Sequence, residues 1–69
     1  MNTHEELKKG IQYHHADQLD RAQKIYAGIL KNHPRHPEAL HLLGLVAYQL
    51  GNNSSAIDLM NQAIHISLI

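Results

Sequence analysis

Histidine is the residue type whose chemistry stands out in this 69-residue chain, which carries seven histidines and no cysteine. Imidazole nitrogens bind zinc, but a zinc site needs about four ligands that converge on the metal at about 2.0–2.1 Å. His33 and His36 are close in sequence, yet Pro34 and Arg35 between them favour a turn over a helical ligand pair. The spacing therefore predicts solvated histidines, and histidine-based metal buffering or sensing is kept as a minor alternative.

The residue types of common catalytic sites do not form a known pattern here. There is no cysteine nucleophile and no glycine-rich phosphate loop, and Ser54 and Ser55 fit the start of a helix. Asp17 and Asp20 are spaced as a carboxylate pair, but the helix dipole favours acidic residues in a first turn. We therefore expect no catalytic residue, no cofactor and no enzymatic activity.

The charge and hydropathy of the chain limit the classes of partner. Six basic residues balance six acidic ones, so the basic patch that binds nucleic acid or an anionic membrane is not expected. No apolar run approaches the roughly 20 residues that span a bilayer, and the first residues are polar rather than signal-like. These features favour a soluble, cytoplasmic protein whose main partner is neither nucleic acid nor a membrane.

Two helices are predicted in the first half of the chain from apolar residues at helical spacing. The first is expected over residues 4–15, with Thr3 and Glu6 as a capping box. A turn follows in which Asp17 is the expected N-cap of the second helix. That helix is expected to end before Pro34, because proline disfavours helix in the residue that precedes it.

The second half of the chain predicts another helical pair. The third helix is expected to begin at Pro37 and to end before Gly51, and the fourth to run from about Asn53 to the C-terminus. Gly44 lies in the middle of the third helix, where glycine costs about 1 kcal/mol relative to alanine. We expect that cost to be offset by close approach of the helix that carries Ala56.

The two halves repeat each other at an offset of 34 residues, the difference between Gly10 and Gly44. Residues identical or similar in type are paired at this offset: Ala22 with Ala56, Ile11 with Leu45, Ile25 with Leu59, Tyr26 with Met60 and Leu30 with Ile64. A helix-turn-helix unit of about this length is the tetratricopeptide spacing. The second unit carries the small and large residues in that family's order: Leu43, Gly44, Tyr48, Gly51, Ala56, Met60 and Ala63.

The chain thus resembles the tetratricopeptide repeat (TPR) family over nearly its whole length. The resemblance implies an all-α fold of four helices, arranged as two hairpins that stack as a short right-handed α-solenoid. It implies a single domain over residues 1–69, with one repeat at about 3–36 and the other at about 37–69. It also implies that the chain is a fragment, or the N-terminal portion, of a longer bacterial TPR protein.

The first repeat departs from the family pattern more than the second. Ile29 stands where the family has alanine, and Glu6 and Lys9 stand where it has large apolar residues. Glu6 and Lys9 are therefore expected to face water. Tight helix contacts are expected between Gly10 and Ala22 and between Gly44 and Ala56. Because Ile29 already departs from the small residue of the family, the first contact is expected to tolerate a larger side chain better than the second.

In TPR proteins the first helix of each hairpin lines a concave groove that holds a segment of a partner protein. Carried over by position, the resemblance implies a groove of His4, Leu7, Ile11, His14, His15, Glu38, His41, Leu45, Tyr48 and Gln49. Core packing is the alternative for Leu7, Ile11 and Leu45, whereas His41 and Tyr48 are the stronger candidates for contact. Leu7 and Ile11 replace the polar residues that hold a terminal carboxylate in chaperone-binding members. A helix or an extended apolar peptide is therefore the expected ligand.

The fourth helix favours a different role, self-assembly. Its apolar residues have no following polar helix to cover them: Ile57, Ile64, Ile66, Leu68 and Ile69. Terminal repeats normally need a polar outer face, so we expect either that the natural chain continues into a third repeat or that copies associate through about residues 56–69. We expect a homo-oligomer, and we expect the change of Ile66 to Glu with Leu68 to Lys to give a less stable monomer.

Overall fold

The computed structural model describes residues 2–68, and for Leu68 only the backbone. These residues form four α-helices: α1 Thr3–His15, α2 Leu19–Asn32, α3 Pro37–Gln49 and α4 Asn53–Leu68. Each helix packs against the next one along the chain, in a body of about 30 × 29 × 17 Å. This arrangement confirms the predicted all-α fold of two stacked hairpins. Within the described residues, no helix is long and apolar enough to cross a membrane.

The N-terminus of α1 is capped one residue earlier than the sequence predicts. The Oδ1 atom of Asn2 accepts a hydrogen bond from the backbone N–H of Glu5 at 2.8 Å, and Thr3 is already helical. The predicted capping box of Thr3 and Glu6 is therefore wrong. Asparagine is at least as favourable an N-cap as threonine, so the earlier start gives the helix an extra residue without losing the cap.

The turn between α1 and α2 corrects a second prediction. Asp17 adopts a left-handed conformation with φ 62°, and Gln18 is the N-cap of α2 with no capping bond from its side chain. Asp17 therefore ends the first helix instead of starting the second. At the offset of 34 its counterpart is Gly51, which has φ 85° and ends α3 in the same way. Aspartate tolerates this conformation better than most residues that carry a Cβ.

The backbone hydrogen bonds of the two turns are also equivalent. The N–H of Gln18 donates to the carbonyl of Tyr13 at 2.9 Å, and the N–H of Asn52 donates to the carbonyl of Ala47 at 2.8 Å. Both pairs are related by the same offset of 34 residues. The internal repeat is therefore present in local backbone geometry as well as in residue type.

Helix α3 begins at the proline that the sequence predicts. Pro37 lies in the first turn, where its missing N–H is not needed, and the ring of His36 provides the cap. The Nδ1 atom of His36 accepts from the backbone N–H of Ala39 at 3.1 Å. One of the seven histidines thus has a structural role at a helix end.

The main core lies where α3 covers the first hairpin. It contains Leu7, Ala22, Tyr26 and Ile29 from that hairpin together with Ala39 and Val46 from α3. Tyr26 is fully buried, and its hydroxyl has no hydrogen-bond partner among the described residues. Burial also raises the pKa of the Tyr26 hydroxyl above its ordinary value, because the phenolate is poorly solvated there.

The two mid-helix glycines mark close contacts within each hairpin. A Cβ atom built on Gly10 would lie 2.6 Å from Cε1 of Tyr26, and one built on Gly44 would lie 2.9 Å from Cγ of Met60. Tyr26 and Met60 are counterparts at the offset of 34. The expected approach of Gly44 to Ala56 is present, since the same Cβ would lie 3.4 Å from the carbonyl oxygen of Ala56.

Ala22, the expected partner of Gly10, is not the residue that lies nearest to it in the structure. The atoms nearest to a Cβ at this position belong to Tyr26 and Ile25, not to Ala22. The expectation that the first repeat is the more tolerant of a larger side chain is also wrong. A buried aromatic ring lies closer to Gly10 than the flexible side chain of Met60 lies to Gly44, so the first contact is the tighter one.

Candidate functional site

A largely apolar cleft of about 540 Å³ is the candidate binding site. It lies at the end of the second hairpin where α3 begins and α4 ends, and α1 contributes one residue to it. The lining residues are Ile11, Pro37, Glu38, His41, Leu42, Ala63, Ile64 and Ser67. Apolar walls with a few polar groups are typical of sites that take apolar side chains and orient them through hydrogen bonds.

The antiparallel pairing of α3 and α4 explains the position of the cleft. Gly44 and Ala56 bring the two helices into contact near the turn, and the helices then continue to the opposite end of the hairpin. There the first turn of α3, with Glu38, meets the last turns of α4, with Ile64 and Ser67. The glycine contact thus holds the two walls of the cleft on one rigid pair of helices.

Three of the ten predicted groove residues line this cleft, namely Ile11, Glu38 and His41. Two other predicted groove residues, one on α1 and one on α3, contact each other outside the cleft. The Nε2 atom of His14 and the Oε1 atom of Gln49 are 2.5 Å apart, a hydrogen bond that links α1 to α3. The predicted groove helices therefore do share a surface, although α4 rather than α1 forms most of the second wall of the cleft.

The other predicted groove residues do not line the cleft. Leu7 is only 6% exposed and belongs to the core, so the alternative interpretation is correct for this residue and a ligand cannot reach it. Leu45 is half-buried, whereas His4 and His15 are exposed on α1. Tyr48 is 65% exposed, so it is available on the surface of α3 without forming part of the cleft.

Five lining residues were not among the predicted groove residues: Pro37, Leu42, Ala63, Ile64 and Ser67. Three of these come from α4, which the resemblance to the family's groove leaves out. The available signal was the offset of 34, which pairs Ile64 with Leu30, a half-buried residue packed against the core of the first hairpin. A residue with a core counterpart is itself expected to be covered by another element.

The predicted self-association surface is exposed at two of the three residues whose side chains the structure describes. Ile57 is 62% exposed and Ile64 is 58% exposed. The two residues are seven positions apart on α4, so they lie on one face of the helix. Ile66 is half-buried. The side chain of Leu68 and all of Ile69 lie outside the described residues.

Another depression on the surface, of about 400 Å³, is lined mainly by charged side chains. Its lining residues are Glu6, Lys9, Tyr13, Arg21, Lys24 and Ile25. The guanidinium of Arg21 lies 5.6 Å from the centre of the Tyr13 ring, within cation–π distance. Lys9 is exposed, as predicted, whereas Glu6 is half-buried.

The histidines do not cluster. Among residues 2–68, no group of three or more metal-binding side chains is close enough to hold an ion. The ring of His14 packs edge-on against Tyr26, with 6.4 Å between ring centres, in addition to its bond to Gln49.

Comparison with known proteins shows which family and which kind of protein the chain is similar to. The family model described as Tetratricopeptide repeat matches residues 8–67 of the chain. A protein of Schizosaccharomyces pombe, described as DnaJ homolog subfamily C member 7 homolog, is 42% identical over 48 residues, which is 70% of this chain. The matched region is 10% of that protein's length, so the similarity concerns a small part of it.

Proposed function

Because the chain belongs to the tetratricopeptide repeat family, we propose that it is a non-catalytic scaffold that binds a segment of a partner protein in the cleft between α3 and α4. The observation that carries this proposal is the apolar cleft of about 540 Å³. Ile64 in its wall is 58% exposed. Burying a large aliphatic side chain contributes up to about 1.5–3 kcal/mol to the free energy of binding. A partner that covers Ile64 would therefore obtain a large part of its binding energy from this wall.

The polar groups of the cleft indicate what kind of segment it accepts. Glu38 lies in the wall and repels an acidic peptide or a free terminal carboxylate, whereas His41 and Ser67 offer hydrogen bonds that orient a ligand. The remaining lining residues are apolar. The preferred ligand is therefore an apolar or amphipathic segment with few acidic residues on its contact face.

Selection of peptide ligands from a displayed random library tests this proposal. The intact chain is the target, and selected peptides are then measured against two variants. Ile64→Glu places a charge in the cleft wall and is expected to weaken binding by about tenfold or more, a loss of about 1.4 kcal/mol or more. Ile57→Glu introduces the same charge on the same helix at a similarly exposed isoleucine outside the cleft, so it is expected to retain binding.

Two outcomes contradict the proposal. One is that no peptide is enriched on the wild-type chain relative to Ile64→Glu. The other is that both variants lose binding equally, since a charge anywhere on α4 would then weaken binding, whether or not it lies in the cleft.

Self-association through α4 is a second candidate function, and the exposure of Ile57 and Ile64 favours it. Two copies that pair these faces would each cover the other's apolar residues. Sedimentation at increasing concentration distinguishes this candidate from the first, because a scaffold that binds only a different protein remains a monomer.

A further inference from the structure

The internal repeat relates the exposed cleft to a surface that is covered in the first hairpin. The offset of 34 residues pairs three cleft residues with residues of that hairpin: His41 with Leu7, Ala63 with Ile29 and Ile64 with Leu30. Leu7 is 6% exposed and Leu30 is half-buried, whereas their counterparts His41 and Ile64 are both exposed, Ile64 by 58%. Ala63 is buried, as its counterpart Ile29 is. Two of the three positions are thus covered in the first repeat and open in the second.

Helix α3 is the element that covers this surface in the first hairpin. Ala39 and Val46 share a core cluster with Leu7 and Ile29, and Leu42 and Leu43 pack against it. The four α3 residues follow the spacing i, i+3, i+4 and i+7, which places them on one face of the helix. No helix within residues 2–68 occupies the equivalent position over α3 and α4.

We infer that the cleft binds an amphipathic helix whose apolar face resembles that of α3, with a small residue followed by large aliphatic residues three, four and seven positions later. This inference rests on the proposed function and names the class of partner that the cleft accepts. Helix docking is favoured over an extended strand because the equivalent surface already accommodates a helix in this chain.

A second copy stacked end to end does not meet this requirement. Its first helix would take the place that α3 takes, and its residues at the equivalent positions are Glu5, Lys8, Lys9 and Gln12. Placing these polar groups against the apolar wall would cost more than their contacts return, since buried charges need partners. The partner helix is therefore not α1 of another copy.

The cleft differs from its covered counterpart in ways that affect the partner's sequence. His41 replaces Leu7, so the wall contains a hydrogen-bonding group where the first hairpin has a methyl-rich side chain. Ala63 replaces Ile29, which leaves more space. The best partner therefore has a bulkier apolar residue facing Ala63 than α3 would supply, and a hydrogen-bonding side chain facing His41.

Two peptides of equal length from this chain test the inference. One contains α3 with its cap, residues 36–50, and the other contains α1 with its cap, residues 2–16. Each carries the same short lysine tail for solubility, and each is titrated into the ¹⁵N-labelled intact chain. The α3 peptide is expected to bind with Kd on the order of 10–100 μM, because a helix this short must be ordered on binding. The α1 peptide is expected to bind about tenfold more weakly or not at all.

Variants of the intact chain locate the contact. Ile64→Glu is expected to reduce binding of the α3 peptide by about tenfold, and the matched change Ile57→Glu is expected to leave it unchanged. Equal binding of the two peptides, or no effect of Ile64→Glu, overturns the inference. Shift changes spread through Ala39 and Val46 also count against it, since the peptide would then be replacing α3 in the core.

The outcomes separate this inference from the proposed function. If a peptide selected from the library binds the cleft and the α3 peptide does not, the scaffold function holds and the helical partner class is wrong. If neither binds, both are wrong.

Discussion

The three glycines within helices give a prediction in which one substitution has a different outcome at each position. Replacing glycine by alanine stabilises a helix interior by about 1 kcal/mol. At Gly28 a Cβ would meet no atom within 4 Å, so the gain is not offset. Gly28→Ala is therefore expected to raise the free energy of unfolding by about 0.5–1 kcal/mol.

At Gly10 the added methyl group has no space. Its carbon would lie 2.6 Å from Cε1 and 3.1 Å from Cδ1 of Tyr26, and 3.1 Å from Cγ2 of Ile25. The Tyr26 ring is fully buried and cannot move without disturbing the core. Overpacking of this kind costs about 1–3 kcal/mol, which exceeds the helix gain. Gly10→Ala is therefore expected to lower the free energy of unfolding by up to about 2 kcal/mol.

Gly44 is the intermediate case. The nearest atom to its added Cβ is Cγ of Met60, at 2.9 Å, in a half-buried and flexible side chain that can change rotamer. The two effects nearly cancel, so Gly44→Ala is expected to remain within about 1 kcal/mol of the wild type.

Circular dichroism during heating and during urea titration measures this series. For a domain of this size, 1 kcal/mol changes Tm by about 4–8 °C, so the order Gly28→Ala above Gly44→Ala above Gly10→Ala is resolvable. A Gly10→Ala chain that melts at or above Gly28→Ala would refute the reasoning, because it would show that α1 and α2 are not in close contact there.

Three further predictions concern the helix cap, the core tyrosine and the α4 surface. Asn2→Ala is expected to lower the free energy of unfolding, measured by urea titration, by about 1 kcal/mol, and Thr3→Ala by a few tenths at most. A larger loss for Thr3→Ala than for Asn2→Ala would show that Thr3 is the cap. Tyr26→Phe is expected to be neutral or stabilising by up to about 1 kcal/mol, because it removes a buried hydroxyl with no partner among the described residues. Burial places the pKa of folded Tyr26 above the ordinary value of 10.0, so this group's contribution to stability is complete below that value and is lost as pH rises through the folded pKa. The Tm of Tyr26→Phe is therefore expected to fall less than the Tm of the wild type as the pH is raised above 10.0. An equal fall in Tm for the two chains would contradict this prediction. If α4 drives association, the wild-type chain sediments as a homo-oligomer at high concentration and the double variant Ile57→Glu with Ile64→Glu sediments as a monomer, whereas a monomeric wild type excludes self-assembly.

Features that depend on local residue chemistry were predictable from the sequence. The start of α3 at Pro37 and its end before Gly51 follow from the fixed φ of proline and the left-handed conformation of glycine. The contact at Gly44 was also predictable, because a glycine in a helix interior needs a compensating close approach. The four helices follow from the spacing of apolar residues.

Two of the errors concern helix ends, where residue type alone does not fix which residue takes which position. Asn2 and Thr3 are both good N-caps, and only the backbone shows which of them precedes the first helical residue. Asp17 was interpreted as a cap because aspartate favours that position, although its counterpart in the repeat is Gly51. Aligning the two turns would have predicted the left-handed conformation that Asp17 adopts.

The candidate site was predicted in part because burial depends on how the hairpins stack. Leu7 and Ile11 occupy positions of the same type on α1, yet Leu7 is in the core and Ile11 lines the cleft. Periodicity along a single helix does not separate the two. The contribution of Ile64 depends on the pairing of α3 with α4, which the family's groove positions leave out.

Whether the open end of the second hairpin is the binding surface can be measured by mapping a bound ligand on the wild-type chain. A peptide selected from the library is added to the ¹⁵N-labelled chain, and changes in backbone chemical shift are assigned to residues. We expect the largest changes at His41, Leu42, Ala63 and Ile64, with little change around Lys24, which lines the charged depression and not the cleft. Changes concentrated around Lys24, with His41 and Ile64 unaffected, would contradict it.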